Sequence, residues 1–459
     1  MGDGAVAMGI KQVKVDVNEV TIGMFVSGLD RPWTQTPFPL QGFYIREAEE
    51  IRQLKAHCRH VYIDVAKGAG PVGARLKTIT SEPQRKGARP PRSSKVKIDV
   101  SPLKIRRDVY KNETPLKKEV KHARELHQAV FKSIAEVMQQ LGSGGGEAVP
   151  VLETKRVASQ MVDSVLRNPD AFTWLSRVKE ADEHTYGHSV RSAVWAIIFG
   201  RHVGMAKRDL DILAMGVLLK DVGKAELERS LLNKSQRTPA EEKEYERFVE
   251  IGVEILRKTP QVEPKVISVV KTHCERVNGS GFPQQLRGDK IPLLGKVAGI
   301  VTYYDDVTNP RGEMYPLAPS RAVAKLYERR DKEFQEELVV EFIRAIGLYP
   351  TGTLVELNTG EVAVVVEQNF ERRLKPKVVI VLDAFKEPLA KHITLDLAED
   401  DRRKQALVDS GKKRFDEVEK IEIAQDLEPG SFDVDIQKIR DDYLSTDEKK
   451  SLFSFLKRR

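Results

Sequence analysis

The chain has 459 residues, 40% hydrophobic and 31% charged, and its 76 Lys and Arg against 68 Asp and Glu leave a net charge of +8. That length holds about two to four domains, and the composition is that of a soluble, highly charged globular protein. No apolar run approaches the ~18 residues that cross a bilayer, residues 1–10 lack the layout of a signal peptide, and Cys58 and Cys274 make no disulfide framework, so a cytoplasmic protein without a membrane span is expected.

Residues 1–80 predict a small α+β domain. Val13-Lys14-Val15-Asp16-Val17 and Val61-Tyr62-Ile63-Asp64-Val65 alternate like strands. Residues 48–58 between them have helical spacing, with Ile51 and Leu54 on one face. Thr36-Pro37-Phe38-Pro39 reads as a loop. Residues 81–111 are basic and Pro-rich and predict a flexible linker. Their cluster at 86–107, like 457–459 at the end, reads as a solvated run or as a weak attractor for anions.

Residues 112–147 predict a long helix and a Gly-rich hinge, with Thr114 as cap, Pro115 in the first turn and a break at Gly142-Ser143-Gly144-Gly145-Gly146. Leu116, Val120, Ala123, His127, Val130, Ile134, Val137 and Leu141 step alternately by four and three, a heptad seam. Two readings stand: a homodimer through helix 112–141, or a helix packed on its own domain. Residues 150–347 are amphipathic helices almost throughout. Residues 348–400 carry β-rich runs at 360–367 and 377–382. Residues 401–459 read as a charged tail, partly disordered, with a helical stretch near 414–424. The expected fold is mainly α: an all-helical domain with a small N-terminal α+β domain and a small C-terminal β appendage.

The chemistry concentrates in Leu218-Leu219-Lys220-Asp221-Val222-Gly223-Lys224 and in the run from His273-Cys274-Glu275-Arg276 to Gly279-Ser280-Gly281-Phe282-Pro283. With Ile251-Gly252, Thr259-Pro260, Gly288-Asp289 and Ile291-Pro292 in order after them, residues 155–347 resemble the HD-GYP family of bacterial cyclic di-GMP phosphodiesterases. The first 80 residues resemble the small domain that often precedes such enzymes, and the β-rich segment resembles an extension often found after them. The resemblance implies an HD-type phosphohydrolase fold and a metal centre. In such a centre a His-Asp pair and histidines from neighbouring helices hold cations that activate water.

Carried over residue by residue, it implies metal-ligand positions at His188, Asp221 and His273, with Asp221 and Lys224 in the catalytic role. Asp305 matches a later family aspartate. Four ligand positions are replaced: Lys220, Phe248, Cys274 and Thr302. Arg276, Gly281, Phe282, Pro283 and Arg311 fall where substrate or a partner such as a diguanylate cyclase (GGDEF) domain would be met. A lysine opposes a cation where a histidine would bind one, and loss of several ligands strongly weakens a site. The expectation is therefore a degenerate HD-GYP protein in cyclic di-GMP signalling, affecting motility, adhesion or biofilm, with no cofactor, or with iron or manganese if active. The alternative is an active metal-dependent phosphodiesterase giving linear dinucleotide or GMP. Other readings also stand. Lys220 neutralises Asp221; His188 and His273 are hydrogen-bonded core residues; Cys274 is a small buried residue; or a single soft metal sits among His188, Asp221, His273 and Cys274. No nucleic-acid-binding motif is present, so the basic run at 86–107 alone would carry that role.

Overall fold

A computed structural model describes residues 12–30, 43–45, 48–64, 105–106, 109–142, 151–176, 184–234, 236–311, 316–369, 372–410, 412 and 420–445. The Pro-rich run at 81–97, the Thr36-Pro37-Phe38-Pro39 loop, most of the Gly-rich hinge and the last basic residues lie outside them. The chain divides into two compact units, 1–97 and 98–459.

The first unit is an antiparallel sheet of β1 (Gln12–Asp16), β2 (Phe25–Leu29), β3 (Phe43–Tyr44) and β4 (His60–Asp64), in the order β1-β4-β2-β3, with α1 (Ala48–His57) before the last strand. Alternation explains it: Val15, Val26, Val61 and Ile63 enter one core with Met24, Ile45 and Leu54 of the connections and helix, while Lys14 and Asp16 face water. Strand β2 breaks the alternation at Ser27-Gly28, where the register shifts opposite Tyr62.

The second unit holds α2 (Leu116–Gly142), α3 (Val151–Arg167), α4 (Pro169–Ser176), α5 (His184–His202), α6 (Lys207–Leu218), α7 (Arg229–Asn233) and α8 (Pro239–Glu246). It continues with α9 (Phe248–Lys258), α10 (Pro264–Thr272), α11 (Leu293–Thr308), α12 (Pro319–Glu328) and α13 (Glu336–Ile346). A second antiparallel sheet follows: β5 (Leu354–Leu357), β6 (Val362–Glu367), β7 (Lys377–Leu382), β8 (Pro388–Asp396), helix α14 (Leu397–Asp409) and β9 (Ile423–Asp426), in the order β8-β7-β6-β5-β9. Among the described residues no helix is long and apolar enough to cross a membrane.

The heptad seam of α2 is turned inward. Leu116, Val120, Ala123, His127, Val130, Ile134 and Val137 are all buried within the unit, beside α3, α4, α5 and the turn at Val222–Glu226. Glu119 is buried with them and accepts Ser164 Oγ at 2.5 Å and two Arg167 nitrogens at 2.7 and 2.9 Å, which binds α2 to α3. The homodimer reading of this seam is therefore corrected: its apolar face is already covered by the helix's own domain, and a dimer would have to uncover it. The expected linker, 81–111, also ends short of its bound. Arg106 N donates to Val203 O, and Tyr110 Oη to Met205 O at 2.8 Å, so this part is tied to the helical body.

The described residues of the expected tail, 401–410, 412 and 420–445, include helix and strand. The helix falls at Leu397–Asp409, capped by Asp396, which accepts from the amides of Ala398 and Glu399. Of the helix expected near 414–424, residues 414–419 lie outside the described residues, and Ile423–Asp426 form β9, which completes the sheet. Residues 436–445 are helical and return to α2, where Lys117 Nζ donates to Tyr443 O and Arg124 meets Asp441 at 2.8 Å. Sheet and helices are joined at α4. Trp174 Nε1 donates to Val366 O at 2.8 Å, and buried Asp170 accepts the Thr351 hydroxyl at 2.8 Å and the Gln368 amide at 3.3 Å.

Two outcomes follow from these contacts. Ile134→Ala on the seam should cost about 2–5 kcal/mol in denaturant unfolding and leave the mass measured by light scattering unchanged. A dimer contact would instead lower the mass. Burial pushes the Asp170 carboxyl up to about 6. The folded protein thus holds its proton more tightly than the unfolded chain, and that stability is present below pH ~4 and lost as pH rises through 6. Asp170→Asn keeps an acceptor for Thr351 without titrating. It should gain on the parent by about 3 kcal/mol between pH 4 and pH 7, read from unfolding curves at each pH.

Candidate functional site

Helix α6 stops at Leu218, and the chain turns through Lys220 and Asp221 into a short 3-10 turn, Val222–Glu226. This turn lies directly on the start of α9. A Cβ on Gly223 would stand 1.9 Å from Phe248 O and 2.6 Å from the Gly252 amide, so only glycine fits the close approach. That contact sets the spacing of Asp221-Val222-Gly223-Lys224. It brings Lys220, Asp221 and Lys224 together on the floor of the helical body, between α5, α9 and α11.

Lys220 is fully buried and its ammonium donates to Asp221 Oδ2. Lys224 Nζ meets the other oxygen, Oδ1, at 2.7 Å, and Ser189 Oγ donates to Oδ2 at 3.2 Å. Burial alone would raise the Asp221 pKa, but Lys220 first and then Lys224 overrule it and hold the carboxyl well below its ordinary value. Burial also opposes the charge on Lys224, yet Asp221 raises its pKa above the usual lysine range. A buried ion cluster of two ammoniums on one carboxylate therefore occupies this floor.

His188 joins it from α5. Its Nδ1 donates to Asp305 Oδ2 at 2.8 Å, which fixes the tautomer, since a carboxylate only accepts. Its Nε2 faces Asp306 at 3.4 Å and Asp221 at 4.0 Å. Asp305 also accepts Arg191 Nε at 3.0 Å and Asn309 Nδ2 at 3.0 Å. Burial works against its ionisation, but Arg191 and His188 bring the carboxyl down to about 2.

His273 closes the far side. Its Nδ1 donates to Val270 O at 2.8 Å, and burial beside the Lys220 ammonium pushes its pKa down to about 3, so the ring is neutral. Phe248 packs on His273, with ring centroids 5.8 Å apart, and lies under Lys224 Nζ at 4.7 Å. Burial pushes the Cys274 thiol up to about 12, so it is no thiolate at neutral pH. The Thr302 hydroxyl is buried without a hydrogen-bond partner among the described residues.

The Gly281-Phe282-Pro283 loop is held against the same wall. A Cβ on Gly281 would stand 2.3 Å from Cys274 O, and Phe282 packs partly buried on Phe248. Glu275 fixes the loop from beneath, accepting the amides of Gln284 at 2.7 Å and Leu286 at 2.8 Å. Arg276 points elsewhere: it donates to the carbonyls of His273 and Glu275 and lies over the Phe334 ring. Arg311 lies near Tyr245, Arg237 and Asp221, and burial holds its guanidinium below the ordinary range. Sequence reasoning missed Ser189, Arg191, Glu275, Tyr245 and Arg237. Arg191 lies three residues after His188 and so on the same helix face; the other four carried no such signal.

The residues present do not fit a divalent metal. A cation on Asp221 would sit against the Lys220 ammonium, and both carboxylate oxygens already hold an ammonium. Phe248 offers no donor. Among the described residues no three His, Cys, Asp or Glu side chains gather as an ion would require, and that includes the set His188, Asp221, His273 and Cys274.

The chain matches the HD domain family over residues 177–338, a domain of unknown function (DUF3391) over 12–150, and the KOW domain associated with HD domain over 354–403. Residues 177–338 are therefore an HD domain. A cyclic di-GMP phosphodiesterase of Pseudomonas aeruginosa is 27% identical over 81% of this chain and 85% of its own length. A 3'3'-cGAMP-specific phosphodiesterase of Vibrio cholerae is 29% identical, but over 35% of this chain and 31% of its own length. The cyclic di-GMP phosphodiesterase response regulator RpfG of Xanthomonas campestris is 25% identical over 41% of this chain and 51% of its own length. Among solved structures, an HDG"Y"P protein from Bdellovibrio bacteriovorus has a TM-score of 0.43 at 14% identity, covering 72% of this chain and 98% of that one.

Asp221→Ala should leave Lys220 as an uncompensated buried charge and cost about 3–5 kcal/mol in urea unfolding. Equal stability of variant and parent would mean that Lys220 reaches water.

Proposed function

We propose that this HD-GYP-type protein serves cyclic di-GMP signalling in the cytoplasm by binding rather than by turnover. Its helical domain takes up cyclic di-GMP, or docks a partner such as a GGDEF-domain protein beside the Gly281-Phe282-Pro283 loop, and cleaves the phosphodiester slowly or not at all. The observation that carries this reading is the Lys220 ammonium seated on Asp221. An internal cation stands where a metal-dependent hydrolase needs an ion, and water gains no activation from it. Lys224 and Arg311 remain beside the floor as groups for a phosphate, and the relatives are described as acting on cyclic di-GMP or 3'3'-cGAMP. The second reading, a metal-dependent phosphodiesterase giving linear dinucleotide or GMP, draws on His188, whose Nε2 faces both Asp221 and Asp306.

The test is incubation of the full-length protein with cyclic di-GMP under anaerobic iron(II) and, in parallel, manganese(II), together with equilibrium dialysis of labelled ligand. The expected result is bound ligand with no linear dinucleotide or GMP above the protein-free control. Product that disappears in Asp221→Asn would overturn the reading in favour of the enzyme. Absence of ligand binding, of product and of any partner lost by Phe282→Ala would sink both.

A further inference from the structure

Beside the ion cluster a second set of cations, Lys224, Arg237 and Arg311, converges, with Glu242 and Asp306 as the further carboxylates near it. The Arg237 guanidinium lies 3.9 Å over the Tyr245 ring, and Lys224 Nζ is 5.6 Å from the same ring and 4.7 Å from Phe248. Arg237 has Glu242 at the longer distance of 3.6 Å, and Lys224 shares Asp221 with Lys220. Arg311 is close enough to Arg237 for the two charges to oppose each other, and burial adds to that opposition. No ion pair holds Arg311 among the described residues. Like charges gathered at a partly covered surface repel, and the repulsion is relieved when an anion enters between them. The cluster is reachable: the Arg237 side chain keeps 15% of its surface and the neighbouring Asp306 side chain 56%.

We propose that this chain binds the phosphodiester of a cyclic dinucleotide without any divalent cation. Lys220 supplies the fixed positive charge of the floor, and Lys224, Arg237 and Arg311 make the phosphate contacts above it. Arg237 is held for this by its stack on Tyr245 and by its Nε donating to Leu231 O at 3.1 Å. This places the segment from α7 to α8, which carries Arg237, in the binding surface. The inference rests on the binding reading above and adds to it metal independence and a named guanidinium.

Fluorescently labelled cyclic di-GMP, titrated into the full-length protein and followed by anisotropy in EDTA and in manganese(II), tests it. The expected result is a dissociation constant equal within about twofold in the two buffers, weakened at least about tenfold by Arg237→Gln and, independently, by Arg311→Gln. Circular dichroism melting confirms that each variant folds; if one does not, the other carries the test. Binding that needs manganese and vanishes in EDTA overturns the inference while leaving cyclic di-GMP as the ligand. So does binding indifferent to both substitutions. No binding in either buffer overturns it together with the ligand of the proposed function.

Discussion

The helical domain is organised around Asp221. A carboxylate this deeply buried is stable as an anion only with partners, and it has two, one ammonium on each oxygen. Lys220 comes from the end of α6 and Lys224 from the turn that Gly223 presses onto α9. Ser189 and His188 of α5 face the same carboxylate, and through His188 it is linked to Asp305 of α11. Four elements thus meet at one charge. The pairing satisfies that carboxylate within the chain, so it needs no bound cation.

Much of this was legible in sequence because the signals were periodic or steric. Alternating valines marked β1 and β4, and helical spacing marked the body of the domain. The run Asp221-Val222-Gly223-Lys224 fixed where the site lies. The less legible parts share a physical reason: their partners are distant in sequence. The α2 seam has the spacing of a coiled coil, and spacing alone cannot say whether α3 and α5 or a second copy covers it. Buried Glu119, answered by Ser164 and Arg167, tells them apart, but only once the three are seen together. Strand β9 is short and polar on its outer positions, and it becomes a strand because β5 offers an open edge.

The surroundings of the site follow the same logic. Arg191 and Asn309 hold Asp305, Glu275 holds the loop after Cys274, and Phe248 fills space beside His273. None of these side chains is unusual alone. Together they leave His188 with a fixed tautomer and His273 neutral.

The inward seam of α2 has a structural consequence. The far end of this 27-residue helix comes to rest on the site turn, where a Cβ at Gly142 would lie 3.5 Å from Ala225 O. Ala225 adjoins Lys224. The burial of the seam and the position of the turn that carries Lys224 are therefore set by one packing arrangement within a single polypeptide.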